Sequence, residues 1–84
     1  MVYVTTLVQK EHGHGAESGP SWRVQSCTIE FGATSPPLAF SSECVYTSPQ
    51  AAQEDMRRRA LGKIRLRGYT GREDEIVWRL HLIG

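Results

Sequence analysis

An α+β domain in the order β-β-β-α-β is predicted for this chain. Ala52, Met56, Ala60 and Ile64 recur at steps of four behind a Ser48-Pro49 helix start, which lays one apolar stripe along a helix. The segments before that helix and the one after it instead alternate apolar and polar residues, the two-residue period of strands. Three strands before one helix and one after it give a three-stranded antiparallel meander, the helix on its apolar face, and a fourth strand joining the sheet.

Val2 to Gln9 reads as the first strand, with Val2, Val4 and Val8 on one side and Tyr3 and Leu7 on the other. Apolar groups on both sides suit an interior strand. Lys10 to Ser21, rich in Gly and small polar residues, is expected to be a flexible loop over 10–21, longer than a usual hairpin connection. Ser21 to Phe31 is the second strand. Its apolar phase changes near Gln25–Ser26, and a bulge there would bring Trp22 and Val24 onto the face of Cys27, Ile29 and Phe31. GATSPP is a turn, and Leu38 to Tyr46 is the third strand. Pairing Phe31 with Phe40 sets Ile29 opposite Ser42 and Cys27 opposite Cys44.

Ser48 can accept from an early backbone N–H, and Pro49 at the first helical position loses nothing by lacking one. Thr47 with Gln50 offers a competing capping box. Gly62 would end the helix at Leu61 and leave Lys63 to Arg67 as a short strand, since an interior Gly costs roughly 1 kcal/mol relative to Ala. The stripe through Ile64 and the second stop at Gly68 favour the longer helix. Glu75 to Ile83 is the last strand, with Ile76, Trp78, Leu80 and Leu82 on one face and Val77, Arg79, His81 and Ile83 on the other.

At 84 residues the chain is expected to be a single small domain over 1–84, with a modest core. No apolar run approaches the ~20 residues that cross a bilayer. The opening MVYVTTLVQK lacks a basic n-region and a cleavage site, so no secretion signal and a cytoplasmic location are expected. Net charge is +1 but uneven: Met56 to Arg72 holds seven of the ten basic residues and no acid, leaving three against all nine acids elsewhere. One positive surface on an otherwise acidic body follows.

The stretch LAFSSECVYTSPQAA running into the helix, with the closing WRLHLIG strand, resembles short uncharacterised bacterial proteins of conserved-hypothetical type over roughly residues 21 to 84. The resemblance implies the β-β-β-α-β pattern and carries over no activity, site residue, cofactor or partner; the His/Gly-rich loop departs from it.

Four constellations bear on chemistry. Arg58, Arg59, Lys63, Arg65 and Arg67 form the candidate site for an anionic partner, the guanidinium fork being suited to carboxylate and phosphate. The plain alternative is a solvated helix face. With Tyr69 and Trp78 beside it, the same helix could hold RNA or DNA, although near-neutral total charge weighs against that. His12 and His14, two apart, with His81 as a remote third, are weak metal candidates, because zinc needs three or four oriented ligands. Cys27 and Cys44, if facing each other, could form a disulfide; two small buried thiols are the favoured reading. Glu73-Asp74-Glu75 reads as a solvated acidic turn. No phosphate loop, CxxC motif, or nucleophile-base-orienter set occurs. A non-enzymatic interaction module is therefore expected, using the basic helix face toward an acidic protein partner or itself, with nucleic-acid binding as the alternative and no cofactor.

Overall fold

The computed structural model describes residues 1–11, 21–32, 35–69 and 71–83. In chain order the elements are β1 (Val2–Glu11), β2 (Ser21–Glu30), β3 (Leu38–Phe40), β4 (Val45–Tyr46), α1 (Pro49–Leu66), a 3-10 turn (Glu73–Glu75) and β5 (Ile76–Ile83). The sheet order is β3-β2-β1-β5, with β4 also against β2. β1, β2 and β3 are antiparallel, and β5 lies parallel to β1. The predicted fold class is what the chain adopts.

The phase change in β2 is resolved by a bulge. Leu7 pairs with Ser26 but Val8 pairs with Val24, so Gln25 is the extra residue. One added residue reverses the side-chain alternation. Val24, Cys27 and Ile29 thereby share the helix side and are all buried. β1 is the central strand and needs cover on its helix side, where Val2, Val4, Thr6 and Val8 are buried. Its other side, including Tyr3 and Leu7, is half-buried.

Helix α1 settles on the longer reading. Ser48 is the N-cap, its hydroxyl accepting from the Ala51 N–H at 3.1 Å. Ala52, Met56, Ala60 and Ile64 are fully buried against the sheet. At the far end the Gly68 N–H donates to the Arg65 carbonyl and the Tyr69 N–H to the Ile64 carbonyl, the pair of bonds that closes a Schellman cap. Gly68 stands at φ +90°, a backbone that only glycine adopts without strain. Gly62 sits inside the helix without interrupting it.

Five expectations need correction. The third strand is not continuous: Leu38–Phe40 and Val45–Tyr46 both edge β2, and residues 41–44 leave the ladder between them. Ser42 turns inward there, accepting from the Cys44 N–H at 3.1 Å, the side-chain-to-backbone bond that competes with a strand ladder. The register is also different, because Cys27 pairs with Phe40 and Ile29 with Leu38. That is four residues from the Phe31–Phe40 alignment, and it removes the Cys27–Cys44 pairing. Both thiols are free, Cys27 buried but Cys44 exposed, so the favoured reading of two buried thiols also fails. Lastly, Glu75 belongs to the 3-10 turn rather than the last strand. The ends of the expected 10–21 loop, Lys10, Glu11 and Ser21, are strand residues, and the rest of it lies outside the described residues.

Candidate functional site: the outer face of the basic helix

Burying the 52/56/60/64 stripe turns the positions two residues after each of them toward solvent. Gly62 stands in the middle of that outer face. Arg58 and Arg59 lie one turn before it, Arg65 and Leu66 one turn after, all within the i±3 and i±4 spacing that makes neighbours on a helix surface. Among the described residues, a Cβ built on Gly62 meets nothing within 4 Å. Two shallow grooves run past this glycine. One is lined by Glu54, Arg57, Arg58, Leu61, Gly62, Arg65 and Glu73. The other is lined by Phe40, Ser41, Arg59, Gly62, Lys63 and Leu66. Leu66 is 88% exposed, an apolar tip among cations.

The five expected site residues fall into two groups. Lys63 lies over the Phe40 ring at 4.9 Å and Arg67 over the Phe31 ring at 5.2 Å. These two hold the helix margin against the β2–β3 side of the sheet through cation–π contact. Arg58, Arg59 and Arg65 gather around Gly62. Arg65 makes no ion pair among the described residues, while Arg58 reaches Asp55 at 2.6 Å yet is 82% exposed at its side chain. Arg59 meets the other carboxylate oxygen of Asp55 at 3.2 Å.

Asp55 is the residue that sequence reasoning passed over. It accepts from the Tyr46 hydroxyl, which lies 3.0 Å from the Ser42 hydroxyl, and so ties β4 to the helix. The Tyr46 bond, then Arg58 and Arg59, hold its carboxyl below the usual carboxylate range. Burial and the bond to Asp55 push the Tyr46 phenol up. The signal was present: an acid three and four residues before two arginines is a helix ion-pair spacing. Cys44 belongs to the same cluster. Its thiol is lowered by the Ser42 hydroxyl and by Arg59, whose Nη2 lies 3.8 Å from Sγ.

The aromatic partners proposed for nucleic acid are differently placed. The guanidinium of Arg57 sits over the Trp78 ring at 4.9 Å and is itself bonded to Glu73 at 2.9 Å. The Trp78 Nε1 is buried without a hydrogen-bond partner among the described residues. Arg57 therefore takes up the face on which a base would stack. Tyr69 is half-buried beside the helix cap.

His12 and His14 lie outside the described residues, and His81 is exposed on β5. Among the described residues, no three His, Cys, Asp or Glu side chains come together as a metal site. Among them also, no helix is long and apolar enough to cross a membrane. In the acidic turn, Glu73 pairs with Arg57 and Asp74 with Arg72 at 3.1 Å. The chain matches no protein-family model, no curated protein and no solved structure.

Proposed function

We propose that this chain is a non-enzymatic interaction module that holds an acidic protein segment on the outer face of α1. The observation that carries this reading is Gly62 amid Arg58, Arg59 and Arg65. An interior helix glycine costs roughly 1 kcal/mol against alanine, and here nothing in the core needs it, because its missing side chain points into open space. Local costs without a packing reason concentrate at sites of function. A glycine there lets a partner backbone approach the helix closely, within reach of three guanidinium forks. Leu61 and Leu66 add apolar contact, so the segment that fits is acidic with interspersed apolar side chains. Function of this kind suits a cytoplasmic protein with free thiols.

The nucleic-acid reading is weaker because the Arg57 guanidinium covers the Trp78 face on which a base would stack.

The test is titration of a labelled acidic peptide, with Leu at every fourth position, into wild type and into Arg58→Glu with Arg65→Glu. Wild type is expected to bind in the micromolar range, with affinity falling as salt rises. The double variant is expected to lose at least about 30-fold, roughly 2 kcal/mol, with an unchanged fold. Equal binding by both proteins contradicts the proposal. A low-salt shift of RNA or DNA that the variant abolishes, without peptide binding, assigns the face to nucleic acid instead.

A further inference from the structure

We infer that β5 is a self-association edge, pairing antiparallel with the β5 of a second copy across a two-fold axis. This surface is separate from the outer face of α1.

β5 is the terminal strand of the sheet and, among the described residues, is bonded on one side only. It is eight residues long, IVWRLHLI, without Pro, Gly or bulge. Natural edge strands are usually guarded by brevity, proline, a bulge or charge. The opposite edge has such protection, being split into three-residue and two-residue pieces by the departure at 41–44. The only formal charge on β5 is Arg79, and its guanidinium lies over Tyr3 of β1 at 4.7 Å, drawn inward from the open edge. Leu82 is 57% exposed and Ile83 39% exposed, so apolar surface collects at one end of this unguarded strand.

A second copy fits this edge for three reasons. One long open edge and one broken edge per chain give a pairing that closes at two subunits rather than growing into a fibre. Directly opposed residues in an antiparallel pair share a face, so the two-fold must fall on a residue, Arg79 or Leu80 for near-full overlap. Centring on Arg79 opposes two guanidiniums. Centring on Leu80 sets Leu80 against itself, Trp78 against Leu82, and Val77 against Ile83, which covers both exposed residues with apolar partners. The helix also leaves room. It packs chiefly over β1 and β2 rather than β5, so helices lying between those strands would stand about 19 Å apart across a joined sheet with ~4.8 Å strand spacing.

Seven paired residues make a small interface, below the usual standard size. The expected dimer is thus weak, with a dissociation constant of about 1–100 μM.

Sedimentation of the full chain from about 1 μM to about 1 mM tests this, alongside Leu82→Lys with Ile83→Lys. Wild type is expected to pass from the 9.4 kDa monomer to twice that mass, with β5 amides gaining hydrogen-exchange protection over the same range. The double variant is expected to weaken dimerisation at least about 30-fold at an unchanged thermal midpoint; a variant with lost helical circular dichroism is replaced by Leu82→Lys alone. A monomer at every concentration, a dimer indifferent to these lysines, or a polymer growing beyond two subunits overturns the inference.

Discussion

Met56→Ala is expected to lower the free energy of unfolding by about 2–4 kcal/mol. Met56 is fully buried and is the longest side chain of a stripe whose two neighbours along the helix are Ala52 and Ala60. Methyl groups on either side cannot swing over to fill the space a thioether leaves, so the cavity term stays large. A domain of this size commands only about 0.05–0.15 kcal/mol per residue, and a loss of this size removes a substantial part of it. Met56→Leu, nearly equal in volume, is expected to cost less than about 1.5 kcal/mol. Urea unfolding followed by circular dichroism reads both, with the denaturant slope unchanged. A cost below about 0.5 kcal/mol for the alanine variant would mean that the stripe is not what joins helix to sheet.

Asp55→Asn is expected to cost about 1–2 kcal/mol at neutral pH, toward the low end of the roughly 1.5–3 kcal/mol of hydrogen bonds to a charged group because the Tyr46 bond can be kept. The Asp55 side chain is only 13% exposed. Asparagine keeps the shape and can still accept from Tyr46, but it gives up the charge that Arg59 meets. Arg58, largely exposed, contributes little to this. The sign with pH follows from the direction of the shift. The folded carboxyl is held below its ordinary value, first by the Tyr46 bond and then by the arginines. It therefore contributes stability above the unfolded value of about 4, and that contribution drains away as pH falls through the lowered folded value. Wild type should lose its advantage over Asp55→Asn below about pH 4. Stability curves that stay parallel from neutral pH to about pH 2 would remove Asp55 from the account.

What the sequence disclosed and what it withheld have physical causes. The helix was legible because its signals are local: Ser48-Pro49 at one end, Gly68 at the other, and a four-residue apolar step between. The bulge at Gln25 was legible because an odd insertion reverses the face of every following side chain. The register of β2 with β3 was not, because a slip of four residues keeps each side chain on its own face. Phe40 packs toward the core whether it opposes Phe31 or Cys27. The break at residues 41–44 hid for a related reason: Cys44 and Tyr46 continue the alternation begun by Leu38 and Phe40 across the interruption. At the helix, the excess of positive charge was plain from composition. Its division into cations laid over Phe31, Phe40 and Trp78 and cations gathered about Gly62 depends on where the sheet margins fall beneath the helix, which no local pattern encodes. Asp55 had a readable ion-pair spacing, but its tie to Tyr46 depends on the chain turning at Ser42.

Gly62→Leu, assayed both for thermal midpoint and for affinity toward the acidic peptide, bears most directly on the assignment of the outer helix face. Leucine is a far better helix former than glycine, and its side chain would stand at the junction of the two grooves with no core atom nearby. The expected result is a higher midpoint, by about 4–8 °C for a gain near 1 kcal/mol, together with at least a tenfold loss of peptide affinity. A higher midpoint with undiminished affinity would contradict the placement of the binding surface around this glycine.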